Sequence, residues 1–178
     1  MRVVCILGEK GKVMKKETVV FQSPLGWLEV SGNGKAVTGI RPCKQGEEGT
    51  QTSQDPVLVE AMEQLQEYFE GKRESFEVPV DPEGTEFQRK VWKALTSIPH
   101  GQCHSYQDIA RSIGHNKACR AVGAAIGKNP VFILIPCHRV VGKDGRLTGF
   151  AWGLDRKQWL LNHECGKHPK YLFCPSPI

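Results

Sequence analysis

The sequence predicts an α+β chain: a small three-stranded antiparallel sheet with one helix, then a helical domain carrying a helix-turn-helix. Three observations point there. Between positions 17 and 41, β-branched and aromatic runs alternate with turn residues. Beyond position 55, apolar residues recur at three- and four-residue steps. The charge also changes sign near residue 84. Residues 1–84 carry 10 Lys and Arg against 14 Asp and Glu, whereas residues 85–178 carry 14 against 5. A basic half beside an acidic half suits contact with a polyanion, although uneven surface charge also occurs without function.

The sheet comes first. Glu17-Thr18-Val19-Val20-Phe21-Gln22, Trp27-Leu28-Glu29-Val30-Ser31 and Ala36-Val37-Thr38-Gly39-Ile40 read as strands. Ser23-Pro24-Leu25-Gly26 and Gly32-Asn33-Gly34 supply the turns between them. Residues 42–54 are polar and form a loop. Asp55-Pro56 then opens a helix, Asp as N-cap and Pro in the first turn. Leu58, Met62, Leu65 and Phe69 form its apolar face, and Gly71 ends it. Val78-Pro79-Val80-Asp81-Pro82 is a Pro-rich break, so the domain boundary is set at residue 84: an N-terminal domain over 1–84 and a C-terminal one over 85–178.

In the second half, Thr85 caps a helix with Phe87, Val91, Trp92 and Leu95 on one face, and Pro99-His100-Gly101 stops it. Ser105 caps a helix over 106–113. Gly114-His115-Asn116 turns the chain into another over 117–128. A last helix spans 154–163. The tail 167–178, with three prolines, reads as an irregular extension.

At 39% apolar residues, 178 residues suffice for a core. No apolar run approaches the roughly 20 residues that span a bilayer. The apolar start, Met1 to Leu7, is too short for a signal peptide and no small-residue cleavage site follows it. Seven cysteines (5, 43, 103, 119, 137, 165 and 174) lack any Cys-x-x-Cys pair, which argues against a zinc or redox motif. The expectation is an intracellular protein with reduced thiols, no membrane and no metal or other cofactor.

Residues 105–128 have the lengths of a helix-turn-helix. Its second helix, Lys117-Ala118-Cys119-Arg120-Ala121-Val122-Gly123-Ala124-Ala125-Ile126-Gly127, is nearly bare of long side chains. Small residues serve tight helix packing and close approach to DNA equally well. The basic surroundings favour DNA. A major-groove reader needs Asn, Gln, Arg or Ser aimed at base edges, and they are missing, so sequence-tolerant contact in the minor groove fits better. Arg120 is the one large probe on this helix.

The most informative stretch is Asn129-Pro130-Val131-Phe132-Ile133-Leu134-Ile135-Pro136-Cys137-His138-Arg139-Val140. A thiol beside an imidazole and a cation can form thiolate near neutral pH. His138 is a candidate base for Cys137, and Arg139 adds charge. Adjacent residues of an extended chain point to opposite sides. Contact between Cys137 and His138 therefore requires a turn at Pro136 or a bridging water. Glu164 is placed to orient the imidazole. Cys119, next to Arg120, is a weaker second candidate for a reactive thiol.

The chain resembles the O(6)-alkylguanine-DNA alkyltransferase family (methylated-DNA–protein-cysteine methyltransferases). Ile135-Pro136-Cys137-His138-Arg139-Val140 matches that family's active-site signature. Ser105-Tyr106-Gln107, Arg120-Ala121-Val122-Gly123, Asn129-Pro130 and Trp159-Leu160-Leu161-Asn162-His163-Glu164 extend the likeness, closely over about 85–165 and more loosely over 17–80. The resemblance implies a ribonuclease H-like N-terminal domain and a monomer that acts on double-stranded DNA carrying alkylated guanine. It implies transfer of methyl or other alkyl groups from O(6)-alkylguanine, and from O(4)-alkylthymine as a further substrate. The base is flipped from the minor groove, and the alkyl group passes irreversibly to Cys137.

By the same resemblance, Arg120 fills the vacated stack, with Lys117, Ala118, Ala121 and Gly123 against the DNA. Tyr106 helps flip the base and donates a proton toward the guanine oxygen. Asn129 ties the helix-turn-helix to the active site. His138 acts through a water, and Glu164 completes the relay. Val140, Phe150, Ala151 and Trp152 line the substrate pocket. Here the sequence departs from the family's usual Tyr-Ser-Gly-Gly or Tyr-Ala-Gly-Gly: it reads Phe150-Ala151-Trp152-Gly153. Phe150 lacks the hydroxyl, Ala151 offers only its backbone N–H, and Trp152 is expected to disfavour bulky adducts. The family's occasional zinc set finds no match, since no His precedes His100. The compartment follows the host: nucleus in a eukaryote, cytoplasm in a prokaryote. A lesion-marking relative without the acceptor is at odds with Cys137. A transcription factor is at odds with the bare helix. A cysteine hydrolase would need an oxyanion hole and turnover.

Overall fold

The computed structural model describes residues 5–7, 13–15, 17–45, 49 and 52–166, with only the backbone of the first two segments. Residues 1–4, parts of the 42–54 loop and the 167–178 tail with Cys174 lie outside the described residues. The chain divides into two compact units, Met1–Pro82 and Glu83–Ile178.

In the first unit, β1 (Cys5–Leu7) and β2 (Val13–Lys15) pair antiparallel. The main sheet is β3 (Glu17–Ser23), β4 (Gly26–Gly32) and β5 (Val37–Pro42), antiparallel and in chain order. Val19, Leu28, Val30, Val37 and Ile40 are buried. They face α1 (Pro56–Phe69), whose first turn is capped by the Asp55 carboxylate accepting the Val57 N–H at 2.9 Å. At Gly32 a Cβ would come within 3.1 Å of Leu58, so a glycine lets the helix lie this close to the sheet.

The buried face of α1 differs from the expected one. Leu58, Ala61, Leu65 and Tyr68 point inward, while Met62 and Phe69 are only half-buried. Gln64 shares the inward face because its amide oxygen accepts the N–H groups of Glu77 and Val78, at 2.9 and 3.4 Å. The segment read as a Pro-rich break is also engaged. Val37 donates to the Pro79 carbonyl and accepts from the Asp81 N–H, both at 2.9 Å, so Val80 bridges β5 in parallel.

The second unit begins at α2 (Glu86–Leu95), held by a reciprocal capping box between Thr85 and Gln88. It ends at Leu95, before Pro99-His100-Gly101. Val91, Trp92 and Leu95 are its buried residues, and the Trp92 indole donates to the Ala125 carbonyl at 2.8 Å. Ser105 and Asp108 form a second capping box that opens α3 (Tyr106–Ser112). Gly114, at φ +77°, turns the chain toward α4 (Cys119–Gly127). Lys117 and Ala118 therefore precede the helix. The last helix is α5 (Leu154–Glu164).

Two features of this unit were not expected. Residues 137–139 form a short 3₁₀ turn. Beyond it, β7 (Val140–Val141) pairs in parallel with β6 (His104–Ser105). Two-residue strands are too short to leave a period in the sequence. This one joins the N-cap of α3 to the residues just after Cys137.

Candidate active site

Residues 131–141 are all buried. Asn129 shapes the bend before Cys137: its amide donates to the Ile135 carbonyl at 2.8 Å, and its oxygen accepts the Val131 N–H at 3.1 Å. Between these anchors Ile133 takes φ +77°, a conformation that β-branched residues rarely adopt. The bonds on both sides hold it there. The result is a Cys137 thiol that is 4% exposed at the start of the 3₁₀ turn.

The turn does not bond the Cys137 and His138 side chains to each other, which leaves the water-bridged contact. His138 is fully buried, and its Nε2 lies 2.7 Å from Glu164 Oε1. Glu164 also accepts two bonds from Arg139, Nε to Oε2 at 2.8 Å and an Nη to Oε1 at 2.9 Å. It takes a further bond from the Gly101 N–H at 3.2 Å. A carboxylate accepts but does not donate, so Nε2 carries the imidazole proton and Nδ1 keeps the basic lone pair. Nδ1 meets no hydrogen-bond partner among the described residues.

The electrostatics correct one expectation. Arg139 does not serve the thiol: its guanidinium fork fits the Glu164 carboxylate, and its remaining reach goes to the Ile98 carbonyl at 2.6 Å. Burial instead pushes the Cys137 thiol up to about 11, against smaller opposing effects of Asn129 and the Lys157 charge. The thiol therefore rests protonated at neutral pH, and its thiolate must be made by a base. Burial also holds His138 below its ordinary value, against the pull of Glu164. Burial alone would raise Glu164, but the His138 and Arg139 contacts outweigh it and hold the carboxyl well below the usual range. With Arg139 balancing the carboxylate, the imidazole stays neutral and ready to accept a proton.

Around this centre, the Tyr106 hydroxyl donates to the Thr148 carbonyl at 2.9 Å. Burial raises its pKa above the ordinary value, so the O–H is retained. A Cβ at Gly123 would lie 3.6 Å from the Tyr106 ring, in ordinary contact, so α4 packs directly behind that ring. The rings of Phe150 and Trp152 both pack on the fully buried Phe132, at centroid distances of 6.4 and 5.9 Å. Ala151 is exposed. Val140 is fully buried, and its carbonyl is taken by the Lys157 ammonium at 2.6 Å.

On α4, Arg120, Ala121 and Ala124 are exposed while Val122, Ala125 and Ile126 are buried. The small residues thus divide between packing and an open face, and Lys117 extends that face. Cys119 donates its thiol to Gln107 at 3.0 Å, and Gln107 donates in turn to the Asn116 carbonyl, so both brace the turn.

The structure brings Cys137, His138, Glu164 and Asn129 into one buried neighbourhood, with the half-buried Tyr106 close enough for its charge to be coupled to Cys137. Sequence reasoning missed Gly101 and Lys157. Gly101 holds φ +72°, and its N–H reaches the carboxylate across 63 residues, which nothing local announces. Lys157 did leave a signal: it shares the 157, 160, 161, 164 stripe of α5 with Leu160, Leu161 and Glu164.

A family profile described as "6-O-methylguanine DNA methyltransferase, DNA binding domain" matches residues 86–166, and one described as its "ribonuclease-like domain" matches residues 16–82. A methylated-DNA–protein-cysteine methyltransferase of Methanosarcina barkeri is 46% identical over 150 residues, covering 82% of this chain and 94% of the relative. The constitutive one of Bacillus subtilis is 48% identical over 151 residues, covering 80% and 92%. Among solved structures, Mycobacterium tuberculosis OGT in complex with DNA aligns with a TM-score of 0.78 at 41% identity, covering 86% of this chain and 96% of that one.

Proposed function

The chain belongs to the 6-O-methylguanine DNA methyltransferase family, and from that premise we propose which residues carry out the alkyl transfer by which it repairs DNA. Cys137 is the acceptor. His138 Nδ1 takes the Cys137 proton through a bridging water, and Glu164 with Arg139 stabilises the imidazolium that forms. The sulfur attacks the alkyl carbon of O(6)-alkylguanine. An S–C bond forms as the C–O6 bond breaks, and the bonding pair leaves with the base. Tyr106 supplies the proton that makes the departing guanine neutral and regains one from solvent, to which the His138 imidazolium releases the proton taken from Cys137. The thioether is not hydrolysed, so each molecule acts once. O(4)-alkylthymine presents the same alkyl–oxygen bond and falls within this chemistry.

Arg120 enters the stack vacated by the flipped base, and Lys117, Ala118, Ala121 and Gly123 lie along the minor groove. Phe150, Ala151 and Trp152 bound the pocket, with Val140 at its base. Trp152 braced on Phe132 leaves less room than a glycine, so a benzyl adduct transfers more slowly than methyl, and Trp152→Gly narrows the gap. Equal wild-type rates for the two adducts would refute this. The protein works as a monomer inside the cell, in the nucleus of a eukaryote or the cytoplasm of a prokaryote. Among the described residues, no helix is long and apolar enough to cross a membrane.

The observation that carries this reading is the polarised His138, bonded to Glu164 through Nε2 with Nδ1 left basic, next to a protonated thiol. Intact-mass measurement after incubation with an O(6)-methylguanine duplex should show one added methyl group, and peptide mapping should find it on the Cys137 peptide. Cys137→Ser should lose transfer while still binding the duplex. A methyl group on any other peptide sinks the assignment.

A further inference from the structure

Among the described residues of the second unit, the buried charge that this chain of proton transfer leaves unused is Lys157. It is 0% exposed on the inward face of α5. Its Nζ donates to the Val140 carbonyl at 2.6 Å and to the Thr148 carbonyl at 2.9 Å. Among the described residues it pairs with no carboxylate, and Glu164 is already held by Arg139 and His138. Two neutral carbonyls compensate a buried ammonium only in part.

The placement gives that cost a use. The Thr148 carbonyl is the one that accepts the Tyr106 hydroxyl. Val140 opens β7, three residues after Cys137, and β7 pairs with β6, whose Ser105 caps the helix that Tyr106 begins. Lys157 therefore closes a ring that joins Thr148, the strand after the acceptor and the start of α3. The titratable groups whose charge acts on it are Cys137 and then Cys103. His138 feels its charge, and Tyr106 shares its acceptor. Of these, Cys137 is the group that gains a negative charge in the transfer.

We propose that Lys157 is a positioning residue that pins Thr148, two residues before the 150–153 pocket loop, to β7 and holds a fixed counter-charge for the Cys137 thiolate. Donors fixed in place before charge develops stabilise it without reorganisation. Burial lowers Lys157 to about 8, so it is still charged near neutral pH. The resting thiol is neutral, so Lys157 faces a negative charge only while the Cys137 thiolate exists on the way to transfer. The inference rests on Cys137 as acceptor.

The test uses the full-length protein, with the methyl group on the wild-type chain first mapped to Cys137. Single-turnover transfer from an O(6)-methylguanine duplex is then followed against pH, and duplex Kd is measured separately. Lys157→Met should slow transfer by roughly ten- to hundredfold with Kd little changed. Lys157→Arg should recover part of the rate and lose the alkaline decline that begins near pH 8 in the wild type. A Lys157→Met protein with wild-type rate and pH profile overturns the proposal. Should that variant fail to fold, the ¹⁵Nζ resonance of Lys157, identified by its loss in Lys157→Arg, decides. Its titration midpoint should coincide with the midpoint of the alkaline decline in the wild-type transfer rate, and a rate that holds through the Lys157 midpoint overturns the counter-charge. Methyl mapped away from Cys137 removes both this inference and the assignment beneath it, whereas a failure at Lys157 alone leaves the assignment standing.

Discussion

Each unit of the molecule sets a buried glutamate against an arginine, and the two pairs behave differently. In the N-terminal unit Glu29 meets Arg41 directly across β4 and β5, and the Arg41 side chain remains 53% exposed. In the C-terminal unit Glu164 meets Arg139 and His138, and all three side chains are at most 7% exposed. The first pair keeps one partner in water and costs little to form or break. The second takes a carboxylate, a guanidinium and an imidazole out of water together, which stability alone would not favour over an apolar cluster. A buried polar network of that kind fits a centre that must hold a proton acceptor in one tautomer.

Breaking each network should separate the roles. Glu164→Gln removes the negative charge that polarises His138 and leaves the Arg139 guanidinium buried without its counter-charge. Single-turnover transfer should fall by roughly a hundredfold or more, and urea melts should show a loss of about 3–5 kcal/mol. A variant that still transfers at the wild-type rate would break the comparison. Asn129→Ala and Gln64→Ala form a matched pair, because each side chain bonds two backbone groups. Both should destabilise by about 1–3 kcal/mol per orphaned group, but only Asn129→Ala should slow transfer in protein that is still folded. Equal slowing by both would mean that general loosening, not the bend before Cys137, sets the rate.

Acid sharpens the contrast further. His138 has a folded pKa below its ordinary 6.5, so the unfolded chain binds that proton first and stability declines as pH falls through the window beneath 6.5. Glu164 is likewise depressed, so its contribution is complete above about 4.5 and is lost as pH falls toward its folded value. Each group can contribute a slope of at most about 1.4 kcal/mol per pH unit. Chemical denaturation from pH 7 to 3 should show the decline, and the Glu164→Gln protein should lack the part below about 4.5. The smallest effect is expected at Glu29→Gln, about 0.2–1 kcal/mol with transfer untouched. A loss as large as that of Glu164→Gln would erase the distinction between the two pairs.

The elements with strong local signals were legible in the sequence. Alternation and turn residues marked β3, β4 and β5, and Asp55, Thr85 and Ser105 capped the helices that follow them. On α1 Leu58 and Leu65 were read correctly, but Ala61, Gln64 and Tyr68 are buried in place of Met62 and Phe69, the glutamine because it has two backbone partners. Among site residues, the run ending in Cys137-His138-Arg139 stood out, and Glu164 followed from the need to orient an imidazole. The part played by Arg139 was misread, since adjacency in the chain says nothing of which carboxylate a guanidinium will reach.

By itself the sequence determined the α+β order, the capped helices, and the family signature around Cys137, the cysteine proposed as acceptor. All of these depend on neighbours a few positions apart. Only the tertiary structure decided that the thiol rests protonated, that Arg139 serves Glu164, that Gly101 completes the carboxylate's contacts and that Lys157 ties Thr148 to β7. Those outcomes depend on burial and on which distant groups share a small low-dielectric space. Both are properties of packing that no local pattern encodes.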